Sequence, residues 1–537
     1  MNWNGLRVHF IGIGGSGMSG IAKVMAARGA IVSGSDLQES GTLEALRTIG
    51  ISVSVGHSAT HIEGADLIVR SSAITSENVE LSAALKSGKP LLGRAEALSK
   101  LLVDKKSVAV AGTHGKTTTT SMLTVALQSC GLDPSFAIGA SIRNSGTNAH
   151  HGSGEIFVVE ADESDGSFTS YKPYGAIITN IELDHVDNFK DLESIDDLFL
   201  QFVGTVASKL VVCVDDEGVR RLLSRVKGVK DSLEILTYGS EGDPDLLIDR
   251  IFLGARQSKA RLVFRGRVWG ELELAIPGRH NLLNAAAAVA MGAELGAPIA
   301  PLLAGLAKFT GARRRFEIRG SVNGVTVVDD YGHHPTEIKA TLETARNFVG
   351  SGRVFVIFQP HRFSRTKAFA ADFAKELARA DHTYLLEVYP AGETPLPGVS
   401  ALSISSKMAK DSVTYEPSMP EVITKVLKVA KAAIALLAGL AYLLGWSNFF
   451  PVKSIEIAEG DQSIVKELTA KLSQAPVPII IGEPIARVDK REITTRLRTL
   501  IWVEDVQVQR SFFSGKVSIS VEPRSAIAQL DARWSAG

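Results

Sequence analysis

Residues 107–120 read SVAVAGTHGKTTTT, and this stretch decides the fold class. Ser107 to Ala111 has the length and apolar character of a buried parallel strand, and a helix is expected from Lys116 onward. Between them, Gly112-Thr113-His114-Gly115-Lys116-Thr117 can wrap a triphosphate, with backbone amides and Lys116 on the phosphates and the Thr117 hydroxyl on Mg²⁺. The spacing departs from the Walker pattern, which asks for four residues between its glycines where this chain has Thr113 and His114 alone. A bare turn is the weaker reading, because a lysine there otherwise faces the positive end of the helix dipole.

Outward from this loop the same alternation of short apolar strands and helices continues in both directions, which is the pattern of a parallel α/β sheet. It predicts a first domain over 1–103, a second over 104–311 and a third over 312–415, followed by a linker at 416–431. A length of 537 residues suits about three to five such units. The 58 basic and 58 acidic side chains cancel, so no basic field exists to hold nucleic acid, and 45% apolar residues exclude a mainly disordered chain. Cys130 and Cys213 fit neither a metal spacing nor a disulfide framework and read as thiols of a reducing cytosol.

Three further stretches carry chemistry. Gly12-Ile13-Gly14-Gly15-Ser16-Gly17 follows a strand and opens a helix, and Asp36 ends the next strand, as in a dinucleotide-binding fingerprint. Its glycines serve a nicotinamide cofactor or a nucleotide sugar equally well. Glu160 to Asp165 (EADESD) gathers four acids at a strand end, where they need a cation. Asp184-His185 follows another strand. Alone, His185 is as readily a packing or capping residue, but beside Glu160 and Thr117 a divalent-metal ligand is the better reading.

With these blocks in view, residues 5–415 resemble the Mur ligase family, specifically its branch of UDP-N-acetylmuramate:L-alanine ligases. The resemblance rests on GIGGSGMSGIA (12–22), GTHGKTTTT (112–120), EADESDGSF (160–168), TNIELDHVD (179–187), GRHNLLN (278–284), RRFE (314–317), DDYGHHPTE (329–337), QPHRFSRT (359–366) and VYPAGE (388–393). It implies a Rossmann-like UDP-binding domain, a P-loop-type ATPase domain and a Rossmann-like amino-acid domain, with no redox cofactor. Gly14, Gly15, Ser16, Gly17, Met18, Asp36, His57, Ser71 and Ser72 are then expected along the nucleotide sugar. Gly112, Thr113, His114, Gly115, Lys116, Thr117, Thr118, Asn281, Arg315 and Asp330 are expected to serve ATP. Thr117 and Glu160 are expected to hold one Mg²⁺ and His185 a second. For Asn281, a helix cap is the plain alternative.

Tyr331, His333, Arg362 and Arg365 are expected around the incoming L-alanine, whose carboxylate a guanidinium binds bidentately. Lys116, His333, Arg362 and Arg365 form the catalytic set that the resemblance implies, with His333 as base or amine positioner. Sister ligases carry a carbamylated lysine after the Asp-His motif, and Ser194 to Val203 has none, in agreement with the alanine-adding branch.

Ala432 to Phe450 runs 19 residues without a charge, with Lys425, Lys428 and Lys431 before it and Trp446 near its end. That predicts one transmembrane helix with its N-terminal side in the cytoplasm. After it the pattern is β-α-α-β-β over 451–523, with a tail at 524–537. This region is similar to the FtsQ/DivIB division proteins, through FPV (450–452), LIWV (500–503), VQVQR (506–510) and VSISVEPR (517–524), although the family's larger β domain does not follow. The resemblance implies a POTRA module outside the plasma membrane that meets division-machinery proteins, with the ligase inside. An inactive membrane scaffold and a nicotinamide dehydrogenase are the competing readings. Intact Lys116, Glu160, His185, Arg362 and Arg365 oppose the first, and the second rests on one glycine loop alone.

Overall fold

The computed structural model describes residues 2–143, 145–226, 232–322, 324–429, 433–438, 452–458, 462–472, 479, 481, 488, 490–500, 503–511 and 514–523. Two units separate, Met1–Gly439 and Leu440–Gly537. Within the first, Arg7–Ile11 is the central strand of a five-stranded parallel sheet, flanked by Ile31–Asp36 and Leu67–Arg70. Strand order reverses on either side of it, and the glycine loop leaves from its C-terminal end, the place where open α/β sheets bind ligands.

The middle sheet has ten strands. Lys106–Ala111 lies between Gly175–Ile178 and Ile156–Glu160, and all three are parallel. Parallel strands present their C-terminal ends on one edge. The phosphate loop, the Glu160 block and the Asn180–His185 segment therefore arrive side by side, although Glu160 and Asn180 lie 48 and 68 residues beyond Gly112 in sequence.

Several helices are closed at their N-termini by side chains: Asn78 caps Val79–Ser87, Asp191 caps Leu192–Thr205, and His334 with Glu337 caps Pro335–Val349. The helices that leave the two glycine loops, Ser16–Ala27 and Lys116–Ser129, have no side-chain cap. Their first amides are left for an anion.

One apolar core runs unbroken from Val8 and Phe10 of the first domain to Phe157, Phe199 and Val212 of the middle one. The third domain has its own core, around Val328, Val356, Phe358 and Phe373. First and middle domains are thus joined by apolar packing, whereas the third meets the middle one through polar groups.

The third sheet corrects two expectations. Residues 416–431 are not a linker, since Met419–Val429 is a helix that buries Met419, Val422 and Val426. Ala433–Ala438, the start of the expected transmembrane helix, is instead a strand inserted between Val325–Asp330 and Arg353–Phe358 and parallel to both, with Ile434 opposite Thr326 and Val354. The third domain thus runs past Tyr415 to Ala438. The physical reason is that a parallel strand covered on both faces is a continuous apolar run, as a bilayer span is. The remainder of the expected span, 439–450, lies outside the described residues. Among the described residues no helix is long and apolar enough to cross a membrane.

In the second unit, Ser454–Ala458, Lys516–Pro523 and Val503–Ser511 form a three-stranded sheet with Lys516–Pro523 in the middle. Helices Gln462–Leu472 and Lys490–Leu497 supply Leu468, Ile493 and Leu497 to its core. The β-α-α-β-β order is the expected one.

A proline at Leu436 removes an amide from a strand hydrogen-bonded on both sides, at a cost of about 3 kcal/mol or more. Leu436→Pro is expected to lower the melting temperature of the third domain and abolish turnover. A chain that keeps both would return Ala433–Ala438 to the span.

Candidate active site

The phosphate loop is held by its neighbours. Asn180 Oδ1 accepts from the His114 amide at 2.7 Å, while Asn180 Nδ2 and Thr179 Oγ1 both donate to the His114 carbonyl, at 3.0 and 2.6 Å. Gly112 has φ +129°, and a Cβ there would lie 2.1 Å from Thr179 Oγ1. Only glycine fits. Asn180 braces the loop from the end of the neighbouring strand.

Lys116 Nζ folds back on its own loop, donating to the carbonyls of Gly112 at 2.6 Å and Thr113 at 3.0 Å, and lies 2.8 Å from Glu163. Burial works against its charge, but Glu163 and Asp162 outweigh it and raise its pKa. Thr117 Oγ1 donates to both Glu160 oxygens, at 2.9 and 3.0 Å, and Glu160 also accepts from the Gly139 amide. Hydroxyl and carboxylate oxygens side by side at the phosphate loop are the hard donor set that Mg²⁺ takes. His185 Nε2 faces Glu163 at 3.6 Å rather than Glu160. Thr113 and Thr118 are buried in the loop and first helical turn.

The third domain closes over this edge through a row of middle-domain carboxylates. Glu182 accepts from Thr336 Oγ1 at 2.5 Å. Asp184 accepts twice from Arg365, at 2.9 and 3.1 Å, with both side chains only 4% exposed. Asp187 takes Arg362 at 2.5 Å. Arg365, expected on the alanine carboxylate, is thus committed to Asp184, whereas Arg362 is 30% exposed and retains an open side. His185 and Arg362 hold left-handed backbones, φ 51° and 72°, the kind of strain that persists where surrounding contacts fix it.

Behind this row lies a second node that sequence reading missed. Glu337 accepts from the His333 amide at 2.9 Å and lies within 3.4 Å of His114, His333 and Arg315. Burial opposes its charge, but His333, His114 and Arg315 beside it hold it well below the usual carboxylate range. His114, Glu182 and His334 bring ligand-type atoms within 4.8 Å of one another. His334, however, spends Nδ1 on the Thr336 amide and faces the Leu183 carbonyl with Nε2, so the group reads as an ion-pair network.

His333 Nδ1 lies 2.9 Å from the Tyr331 carbonyl, which makes it the donor and leaves Nε2 with the lone pair. Burial and then Arg365, against the pull of Glu337, lower its pKa to about 4. An imidazole so weakly basic suits holding an amine by hydrogen bond better than taking its proton. Tyr331 is exposed beneath the guanidinium of Arg314.

Two residues expected on ATP are occupied locally. Asp330 accepts from the amides of Phe316 and Gly332 and from Thr341 Oγ1. Asn281 Nδ2 donates to the Pro277 carbonyl at 2.6 Å from within the first turn of Arg279–Glu294, whose N-cap is Gly278, so it is not the helix cap.

In the first domain, Asp36 accepts from the Gly14 amide at 2.8 Å and so shapes the glycine loop. Ser71 packs against Gly12, Met18 is buried and Ser72 is exposed on the same rim. The loop of Gly14, Gly15, Ser16 and Gly17 is tied to the middle domain by Asn148, which donates to Ser16 O at 2.9 Å. His57 Nδ1 meets Ser35 Oγ at 3.1 Å, and Ser35 donates to buried Glu80 at 2.5 Å. Burial opposes the Glu80 charge, yet hydrogen bonds from His9, Ser35 and His61 lower its pKa to about 2. Arg94, also unforeseen, lies between Gly17 and Asp162, joining the glycine loop to the acidic block.

Family models match in the same order along the chain: the Mur ligase family catalytic domain at 7–106, the Mur ligase middle domain at 110–292, and the Mur ligase glutamate ligase domain at 314–439. A UDP-N-acetylmuramate–L-alanine ligase of Acidothermus cellulolyticus is 47% identical over 77% of this chain and 87% of its own length. The chain belongs to the Mur ligase family. A second such ligase, of Solidesulfovibrio magneticus, is 44% identical over 82% of this chain and 96% of its own. Among solved structures, the UDP-N-acetylmuramate-alanine ligase of Thermotoga maritima is 31% identical with a TM-score of 0.68, covering 81% of this chain and 95% of its own. The murein peptide ligase of Psychrobacter arcticus is 26% identical with a TM-score of 0.62, over 82% and 96%. The third family match ends at 439, which places the strand Ala433–Ala438 inside this Mur ligase's amino-acid domain.

Burial opposes protonation of His114, but Glu182 and Glu337 outweigh it and push the imidazole up to about 9. A pKa raised on folding gives stability that is complete below about pH 6.5 and is lost as pH rises through about 9. The melting temperature of wild type minus that of His114→Gln is expected to be several degrees near pH 6 and to vanish above about pH 9. A difference independent of pH would contradict the ion pairs.

Proposed function

We propose that this Mur ligase joins L-alanine to UDP-N-acetylmuramate, the two substrates its relatives' names carry, and that it does so at the muramoyl carboxylate at the expense of ATP. One observation carries the reading: the Lys116 loop and its acidic partners in the middle domain face Arg362 and His333 of the third across a single polar seam. The first domain's uncapped helix start serves the UDP diphosphate, and that of Lys116–Ser129 serves ATP.

A carboxylate and an amine do not condense unaided, because hydroxide leaves poorly. A muramoyl carboxylate oxygen attacks the γ-phosphorus, the bond to the β-phosphate oxygen breaks, and ADP leaves behind an acyl phosphate. The alanine amine, deprotonated and held by His333 Nε2, attacks the acyl carbon. The tetrahedral intermediate then expels phosphate, which leaves with the proton released from the amine nitrogen. Arg362 binds the alanine carboxylate in exchange for Asp187. Lys116 follows the transferred phosphoryl group, exchanging Glu163 for phosphate oxygens of like charge. Magnesium, when bound, offsets phosphate charge, with Thr117 and Glu160 as ligands of one ion and His185 of a second. The seam excludes water that would hydrolyse the acyl phosphate.

For the second unit the reading we favour is a POTRA-like module that meets division-machinery proteins and keeps precursor synthesis near them. Its β-α-α-β-β order and three-stranded sheet support this. The ligase half then works in the cytoplasm, with the chain attached to the plasma membrane, and the attachment fails if the full chain is recovered wholly in the soluble fraction of lysed cells. The recruiting role fails if deleting 451–537 leaves the chain's position in dividing cells unchanged.

ADP release by the purified chain with Mg²⁺, ATP and UDP-N-acetylmuramate is expected to require L-alanine and to fall about a hundredfold or more in Lys116→Ala. Folded protein that binds the nucleotide sugar yet releases no ADP would make the chain a scaffold.

A further inference from the structure

The first domain holds a buried polar cluster that the ligase chemistry does not use. Glu80, fully buried in the first turn of Val79–Ser87, gathers groups from two strands and from the segment that follows a third. Its Oε2 accepts from Ser35 Oγ at 2.5 Å and lies 3.4 Å from His9 Nε2. Its Oε1 accepts from the Ser58 amide at 3.1 Å and lies 2.6 Å from His61 Nδ1. A carboxylate taken out of water needs such partners to stay charged.

The cluster lies beneath the place where a nucleoside belongs. Arg7–Ile11, Ile31–Asp36 and Ser52–Val55 are adjacent and parallel, so their C-terminal ends stand in a row. The diphosphate loop leaves the first, Asp36 ends the second, and His57 comes two residues after the third. The Gly56 amide donates to the Asp36 carbonyl at 2.8 Å, which holds the turn before His57 against the residue that shapes the glycine loop. In such a sheet the diphosphate lies on the first loop and the ribose beside the end of the next strand. The nucleoside therefore extends toward His57.

Proton counting gives that histidine an orientation. A hydroxyl has one proton, and Ser35 spends it on Glu80, so it meets His57 Nδ1, 3.1 Å away, as an acceptor. Although burial opposes its charge, hydrogen bonds keep Glu80 ionised, and it has no proton to give back. His57 Nδ1 thus carries the proton, and the neutral ring keeps its lone pair on Nε2. Glu80 Oε1, 3.5 Å from the same Nδ1, favours the same tautomer. Ser35 and Glu80 are closed to solvent, whereas the His57 side chain is 14% exposed, so the relay runs from the interior to the rim.

We propose that Glu80 and Ser35 are positioning residues for nucleotide-sugar selection, which fix His57 with Nε2 as the acceptor for an N–H or O–H donor of the nucleoside. This rests on the reading of the first glycine loop as the diphosphate site. Two parts of a uridine offer that donor chemistry, the imide N–H of the base and the hydroxyls of the ribose. Cytosine has a lone pair where uracil has the imide proton and would meet Nε2 lone pair to lone pair.

The test is calorimetric titration of the full chain with UDP, CDP and 2′,3′-dideoxyuridine diphosphate, in wild type and in Ser35→Ala. Wild type is expected to bind UDP about tenfold more tightly than the analogue that lacks the donor, which is CDP for the imide and the dideoxy compound for a hydroxyl. In Ser35→Ala, UDP is expected to weaken toward that analogue, whose own affinity changes by less than about twofold, and the KM for UDP-N-acetylmuramate to rise several-fold with kcat within about twofold. Nitrogen-15 NMR of the His57 ring in wild type, assigned by its absence from His57→Phe, is expected to place the proton on Nδ1, and it decides the matter if Ser35→Ala does not fold. A proton on Nε2, equal wild-type affinity for all three nucleotides, an unchanged Ser35→Ala, or a loss in that variant shared equally by all three overturns the proposal. Wild type that binds none of the three overturns the reading of the glycine loop, and this inference with it.

Discussion

The buried pair of Asp184 and Arg365 is the constraint on which the catalytic edge depends. Each side chain is 4% exposed, and neither can be left alone in the interior without a cost of about 3–5 kcal/mol. The pair joins the segment that follows a middle-domain strand to a helix of the third domain. Once it forms, Arg362 and His361 on one side and His185 and Asp187 on the other come to the same place. The Glu182–Thr336 and His114–Glu337 contacts then extend that registration to the phosphate loop itself.

The two joints of the ligase differ in kind, and the difference matters for catalysis. First and middle domains share one apolar core, which does not exchange partners when a substrate arrives. The third domain is held by carboxylates, guanidinia and imidazoles. Such groups can trade a protein partner for a substrate of the same charge. The seam between middle and third domains is therefore the one suited to opening and closing, with the phosphate loop rigid beneath it.

How much of this was legible in the sequence follows from what is local. The glycine loops were readable because strand, glycine turn and helix are contiguous, and Gly112 or Gly14 tolerates no side chain for reasons visible within one loop and its neighbour. The Thr117–Glu160 contact was readable from two strand ends of a parallel sheet. By contrast, the pairing of Arg365 with Asp184 spans 181 residues, and Glu80 beneath His57 and Ser35 has no signature of its own. The strand Ala433–Ala438 was misread because six apolar residues at the centre of a sheet and six at the start of a span are the same string.

Asp184→Asn keeps the shape of the side chain and removes its charge. The most direct test compares ADP affinity with alanine-dependent turnover in this variant. With the phosphate loop intact and the seam broken, ADP affinity is predicted to stay within about twofold of wild type while turnover falls about tenfold or more. Turnover at the wild-type level in folded Asp184→Asn would contradict the account.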